Sequence, residues 1–415
     1  MTAGIGRTMA DGAARRPYQY RPRLIAEEIA ITSRSASMST RKKKHRTRFP
    51  LIALVLALVG SIGWAADWTV LRPQNRPYVT FANVAQFYQF PDYTRVSRTV
   101  SLRSDRRVIR AQAGTSELSI NGVRFFTHFP LLNSGDEDLI SVMDVSKIIE
   151  PVLRPSRIQK SAKVETVVLD PGHGGMDQGA SSSWGSEKSF TLDVALAARA
   201  QLLRAGYRVE MTRATDAGVS LEDRVNFANR FPNAVFVSIH FNSSSGGSGV
   251  ESYALAPEGV ISNASSEHHV SAADTARHAG NAQDEQNIAL TASIHASVLT
   301  RVAAFDRGVR HARFHVLRDI KIPGVLLEAG FISSSTEGQR IATTSYRQQL
   351  GVAIAQGIQN YNAAVNYRSG GANFAVAKAN LPPHTRSISE PLGAENPVET
   401  PYHHPPSISI NGGDK

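Results

Sequence analysis

The stretch TVVLDPGHGG, Thr166 to Gly175, runs four β-branched or aliphatic residues into an aspartate, a proline and one histidine ringed by glycines. A short apolar run bounded by turn residues reads as a strand buried on both faces. Strands of that kind belong to parallel sheets covered by helices. His173 then has two readings. It is either an imidazole caught in a tight turn, or a metal ligand on a loop kept free of side chains so that a substrate can approach; glycine also permits positive φ there.

Downstream, strand and helix alternate. Glu187 to Leu203 carries Leu192, Ala195, Leu196, Arg199 and Leu203 at helical spacing, and Gly206 stops it. YRVEMTR (Tyr207–Arg213) is a strand, and Ser220 to Asp223 starts a capped helix that holds Arg224 and Asn229. AVFVSIH (Ala234–His240) is a buried strand and GVESYAL (Gly249–Leu255) a short one. A helix over Ile288–Ala304, the strand PGVLLEAGF (Pro323–Phe331) and a helix over Tyr346–Tyr361 close the pattern. The expected fold is α/β over 163–362, with a mixed, largely parallel sheet covered by helices.

A small α+β module precedes it over 78–155. Its clearest mark is ELSINGVRFFTH, two alternating runs joined at Asn121-Gly122, a strong hairpin signal. His128 stands alone there and reads as a packed or surface histidine.

The chain has 415 residues, no cysteine and a net charge of +11. Residues 1–48 hold twelve Lys/Arg and three Asp/Glu, which is +9 of the +11. The remainder is close to neutral, so no nucleic-acid partner is expected of the folded part. RKKKHRTR (Arg41–Arg48) followed by an apolar run ending at Ala66 has the layout of an export signal, and Met38 begins a complete one by itself. The expectations are a basic leader over 1–48, a signal peptide or membrane anchor over 49–66, a linker over 67–77 and a disordered tail over 366–415. The protein is expected to be exported to the periplasm or cell envelope, touching membrane only through its N-terminal segment. With no cysteines, core burial alone must hold the domains.

In open α/β sheets, function collects at the carboxyl ends of strands. Three such ends carry His173, His240 and Glu328, and Glu187 opens the helix after the first loop. Each has an ordinary reading: a hydrogen-bonded histidine, a helix-opening acid favoured by the helix dipole, a solvated glutamate. Together, two imidazoles and a carboxylate make a zinc set of the catalytic type, with one position open for water. A further carboxylate on a neighbouring strand end can take that water's proton.

From Val164 to Tyr361 the sequence resembles the zinc-dependent N-acetylmuramoyl-L-alanine amidases of bacterial cell-wall metabolism. The resemblance is carried by VVLDPGHGGMDQGA, SEKSFTLDVALAARAQLLRAGYRVEMTR, LEDRVNFAN, FVSIHFNSS and VLRDIKIPGVLLEAGFISS. It implies His173, Glu187 and His240 as zinc ligands and Glu328 as the catalytic carboxylate. The implied substrate is peptidoglycan, cut at the amide between N-acetylmuramic acid and L-alanine of the stem peptide. On this reading Gly172, Gly174 and Gly175 stay bare to admit a bulky glycan, Arg224 is structural, and Asn242 lies near the substrate rim. The 78–155 module loosely resembles the N-terminal module of copper amine oxidases, which implies a structural or wall-contacting role and no copper.

Two departures stand out. The polar stretch 256–286 follows the second histidine; its His268, His269 and His278 read as loop residues. SAADTARHAGNAQDEQ within it is a candidate for a helix that blocks the cleft until an activator protein acts on it. Ser334-Ser335 replaces a position where relatives often have asparagine, with a local effect expected. Two other functions fit the metal set: a zinc peptidase acting on the stem peptide, and a non-catalytic wall-binding protein. Glu328 argues against the second, because a binder needs no proton-transfer carboxylate.

Overall fold

The computed structural model describes residues 68–263 and 272–367; the leader, the apolar segment and all but the start of the C-terminal tail lie outside them. The quoted stretch is a strand, Thr166–Pro171, with every residue buried. It is the tenth strand in chain order. Before it come β1 (Val70–Leu71), β2 (Tyr78–Thr80), β3 (Asp92–Val96), β4 (Thr99–Arg103) and β5 (Val108–Gln112), then β6 (Glu117–Ile120), β7 (Val123–Phe126), β8 (Leu132–Ser134) and β9 (Glu137–Ser141). After β10 come β11 (Ser181–Ser182), β12 (Gly185–Ser186), β13 (Arg208–Met211), β14 (Ala234–Asn242), β15 (Val250–Leu255), β16 (Asp306–Ala312) and β17 (Gly324–Phe331). The helices used below are α1 (Phe81–Phe87), α2 (Glu187–Arg204), α3 (Leu221–Ala228), α4 (Asp284–Val302), α5 (His315–Arg318), α6 (Ser335–Ile341) and α7 (Thr344–Val365).

Strands β13, β10, β14 and β17 pair in parallel in that order. β15 is antiparallel to β17 and parallel to β16, so the sheet is mixed, as expected. One face is covered by α2, α4 and α7, whose apolar residues pack on Val167, Leu169, Val235, Val237, Ile239 and Leu327. The other face packs Val168, Phe236, Tyr253 and Leu326 against α3 and α5. Period-two alternation thus sends Ser238, His240, Leu326 and Glu328 to this second face.

The local signals hold in most places. Ser220 caps α3, accepting from Asp223 N at 3.1 Å. Asn121 and Gly122 both have positive φ (53° and 85°), the geometry of a two-residue hairpin turn between β6 and β7. The stripe on α2 is different from the expected one. Phe190, Val194, Ala195, Ala198 and Leu202 are buried, whereas Leu196 and Leu203 are 37% and 46% exposed. The cause is a close helix crossing: a Cβ on Gly351 of α7 would lie 2.6 Å from Ala197 Cβ, so small residues define that face.

The N-terminal strands are not a separate bead. β7 pairs in parallel with β16, Val309 against Phe125, so that β7, β6, β5, β4 and β3 extend the main sheet to eleven strands. β16 (DRGVRHA) carries no apolar alternation in the sequence. Part of the expected linker is also structured, since Val70 and Leu71 pair with Val79 and Tyr78. The β1-β2-β9-β8 sheet carries the module's other strands, and α1 and the helical run from Val142 to Leu153 its helices. Within the module, His128 is packed, its Nδ1 2.7 Å from Asp144 Oδ1 with neither side chain exposed.

Candidate metal centre

Asp170, at the carboxyl end of β10, anchors the region. It is fully buried and accepts hydrogen bonds from Thr212 Oγ1 (2.6 Å), Ser238 Oγ (2.8 Å) and Arg224 Nη1 (2.6 Å). With its oxygens so occupied it is a brace and no ligand. Arg224 also donates to Pro171 O and His173 O, each at 2.8 Å, which makes it the structural arginine expected. Arg213 was not singled out by the sequence. It is buried and donates to Pro171 O, Gly172 O, Thr215 O and Lys188 O, tying the histidine loop to the start of α2. It sits two residues beyond β13, the strand that pairs with β10, and no local sequence pattern marks it.

The bare glycines have a different reason from the one expected. A Cβ on Gly172 would meet the His240 ring, 2.6 Å from Nδ1. One on Gly174 would lie 2.9 Å from Arg213 Cδ, and one on Gly175 2.8 Å from Gly218 N. The protein's own atoms, and no space reserved for glycan, fill these positions. His173, Gly174 and Gly175 all have positive φ (61°, 129° and 60°), so the loop also needs glycine's conformational freedom. Gly179 belongs to the same set: its Cβ would meet Glu187 Oε2 at 2.5 Å and His173 Cδ2 at 2.6 Å.

The loop, α2 and β14 bring three of the expected residues together. His173 Nε2 lies 3.2 Å from Glu187 Oε2, and His240 Nδ1 lies 3.0 Å from Glu187 Oε1. One ligand atom from each of the three residues falls within 4.8 Å of the others. Glu187 is held by the backbone, Oε1 accepting from Phe241 N at 3.0 Å and Oε2 from Ala180 N at 2.8 Å. His173 Nδ1 faces Asp177 Oδ2 at 2.8 Å, a partner that favours a proton on Nδ1 and makes Nε2, which faces Glu187, the ligand atom when a cation takes the place of its proton. Both imidazoles are about one-fifth exposed, so the cluster is reachable from solvent.

The electrostatics fit a cation. Burial works against the Glu187 carboxylate, but hydrogen bonds from His173 and His240 outweigh it and hold its pKa below the usual range. Burial likewise opposes a charge on His173, yet Glu187 and Asp177 raise its pKa. In place of those protons, two imidazole nitrogens and a carboxylate oxygen are a fitting donor set for zinc.

Glu328 sits beside His240 in the sheet register, 7% exposed. Its Oε2 is buried with no hydrogen-bond partner among the described residues. Burial, then the charges of Glu187 and Glu251, push its pKa well up. A carboxyl oxygen left unpaired beside a donor set is suited to hold a proton that comes and goes.

Asn242 is not at a rim. It is 6% exposed, donates to Glu251 Oε1 at 2.7 Å and accepts from Ser243 N at 2.7 Å. Its work is to hold Glu251, a buried acid the sequence reading passed over.

No blocking helix forms over 272–283, which makes two 3-10 turns, Ala272–Thr275 and Ala279–Gln283. The described parts of the stretch are fastened by Arg313, which donates to Val260 O and Pro257 O, and by Asn281, which donates to Ala256 O. They leave the sheet after Leu255, four residues along β15 from Glu251, about 13 Å from the row that holds His240 and Glu328. His278 opens the second turn; His268 and His269 lie outside the described residues. Ser334 caps α6, a local role as expected.

The family described as N-acetylmuramoyl-L-alanine amidase matches residues 167–360. The chain is 35% identical over 195 residues to a sporulation-specific N-acetylmuramoyl-L-alanine amidase of Bacillus subtilis, covering 46% of this chain and 66% of that one. It is 32% identical over 221 residues to the N-acetylmuramoyl-L-alanine amidase CwlM of Bacillus licheniformis, covering 52% and 77%. Among solved structures, the amidase AmiC2 of Nostoc punctiforme is 32% identical with a TM-score of 0.39, covering 48% of this chain and 98% of that one. The chain spans slightly under two-thirds of the length of the Bacillus subtilis relative.

Proposed function

The chain belongs to the N-acetylmuramoyl-L-alanine amidase family, and we propose on that premise that it hydrolyses the amide between N-acetylmuramic acid and L-alanine in peptidoglycan, with zinc as cofactor, in cell-wall remodelling or cell separation. The observation that carries this reading is the convergence of His173, Glu187 and His240 within 4.8 Å beside the unpaired Oε2 of Glu328.

His173 through Nε2, Glu187 through a carboxylate oxygen and His240 through an imidazole nitrogen would hold the zinc. When bound, zinc supplies a Lewis acid that polarises the scissile carbonyl and brings the pKa of water toward about 7. Glu328 takes the proton of the attacking water at Oε2 and returns it to the alanine nitrogen, which leaves protonated. Burial, then the charges of Glu187 and Glu251, favour the protonated form of Glu328, the form that gives the proton to the leaving nitrogen. Asp177 fixes the His173 tautomer, and the Phe241 and Ala180 amides keep Glu187 turned inward.

The substrate lies outside the cytoplasm, which agrees with export through residues 49–66 to the periplasm or envelope. Among the described residues no helix is long and apolar enough to cross a membrane. An activator protein acting on 256–286 belongs to the same reading; gripping the described parts of that stretch, it would work from the end of the sheet remote from the metal set.

The test is digestion of purified peptidoglycan by the full chain, with and without a chelator and with Glu328→Ala alongside, followed by mass analysis. Release of intact stem peptides beginning with L-alanine, lost with chelator and in the variant, is the expected result. Stem peptides cut internally would make the chain a peptidase. Binding to the wall without products would make it a binder.

A further inference from the structure

The row of the sheet that holds the candidate site does not end there. His240 pairs with Glu328, Glu328 with Glu251, and Glu251 with Gly308. Gly308 lies against β7, where its Cβ would meet Phe126 Cε2 at 2.8 Å and Arg124 Cγ at 3.2 Å. From Arg124 the register runs through Ser119, Arg110 and Ser101 to Thr94. Residues paired across a sheet point to the same face, so this polar row continues the catalytic one.

The opposite face of these strands is closed. Phe125, Leu118, Ile120, Ile109, Ala111, Val100 and Leu102 are buried there. On the row's own face, Arg110 and Thr94 are exposed, and Ser101, Ser119 and Arg124 are half-buried. Arg110 makes no ion pair with any described residue.

Charge changes sign along the row. The metal end is acidic, with Glu187, Glu251 and Glu328. Arg307 Nε then donates to Glu251 at 3.2 Å, and Arg310 stacks 4.0 Å from the Phe126 ring centroid. Beyond them the row holds Arg124, Ser119, Arg110, Ser101 and Thr94, and one acid on the same face, Glu117, lies 3.7 Å from Arg124 Nε. At about 4.8 Å per strand, Arg124 is about 19 Å and Arg110 about 29 Å from His240, four and six strands away.

We infer that the open face of β3–β7 is a second binding surface for the peptidoglycan chain, on which Arg124 and Arg110 take carboxylates of stem peptides that are not being cut. The inference rests on the amidase reading for the identity of the polymer. It commits to this occupant because the face is continuous with the candidate site and complementary in charge to an acidic, hydroxyl-rich polymer. Guanidinium groups pair with carboxylates through two parallel hydrogen bonds, and the serine and threonine hydroxyls between them suit sugar and peptide polar groups.

The test is co-sedimentation of the full chain with purified, insoluble peptidoglycan, a readout that needs no cleavage. R110E/R124E is compared with wild type and with R199E/R301E, which makes the same charge change on the helices covering the other face. The expected result is at least a fivefold loss of bound protein for R110E/R124E and none for R199E/R301E. Wild type should show the same loss on peptidoglycan whose carboxyl groups have been amidated. Equal losses for both double variants would reduce the effect to net charge and overturn the proposal. So would unchanged binding of R110E/R124E, or indifference to amidation. If the row variant loses binding while the wild-type chain releases no stem peptides, the surface stands and the amidase reading falls.

Discussion

Gly172 passes so close to His240 that a Cβ on it would lie within 2.6 Å of the imidazole Nδ1. Alanine at this position therefore pushes on one of the three proposed zinc ligands. Gly172→Ala is expected to weaken zinc binding at least tenfold and to lower hydrolysis with it, as measured by competition with a chromogenic chelator. Gly122→Ala is the contrast. Nothing lies within 4 Å of its Cβ, but its φ is +85°. That substitution should cost about 1 kcal/mol of stability in urea unfolding and leave zinc affinity alone.

Asp177 acts on the centre through His173, with Oδ2 at 2.8 Å from Nδ1. Removing such a partner typically costs about 10- to 100-fold in metal affinity. Asp177→Ala should fall in that range, and Asp177→Asn, which keeps a hydrogen-bond acceptor, should recover part of it. Equal affinity in all three proteins would mean that the tautomer is set elsewhere.

The grouping of the four expected residues was legible because each is a polar side chain where a buried strand ends or a helix opens, a place that packing alone does not explain. Arg213 and Glu251 were not. Each is buried by what surrounds it in space, five acceptors for Arg213 and Asn242, Arg307 and Arg310 for Glu251, and none of that has a local sequence pattern. Asn242 was misread for the same reason. β16 escaped because DRGVRHA has charges where a strand usually shows alternation. Without β16, the join between the N-terminal strands and the main sheet was invisible. The glycines show the opposite error: their bareness was noticed correctly, but the neighbours that demand it arrive only with folding.

Arg224 and Asp170 form an ion pair with side chains 4% and 1% exposed. Cutting one partner from such a pair leaves a buried charge alone and costs about 3–5 kcal/mol. Arg224→Met should destabilise by an amount of that order in urea unfolding. It also frees the His173 carbonyl, so zinc affinity should fall even at temperatures where the variant is fully folded. A stability loss with unchanged zinc affinity would confine Arg224 to the core.

His311 gives the fold a pH dependence that owes nothing to the metal. It lies 2% exposed at the join between β16 and the N-terminal module, its ring centroid 4.2 Å from that of His128. Burial, followed by the neighbouring His128 and Arg313, lowers its pKa well below 6.5. Its Nδ1 faces Asn263 Oδ1 at 3.1 Å, while Nε2 has no hydrogen-bond partner among the described residues. Below about pH 6.5 the unfolded chain binds a proton here that the folded chain refuses, so more protons are bound unfolded and stability falls as pH drops. The full contribution is present above pH 6.5 and is lost by up to about 1.4 kcal/mol for each pH unit below it, until the folded pKa is reached. Urea unfolding between pH 7.5 and 5 should show this slope in wild type. His311→Phe, which removes the titrating group and keeps an aromatic ring against His128, should have a shallower slope over the same range. Parallel curves for the two proteins would assign the acid sensitivity to other groups.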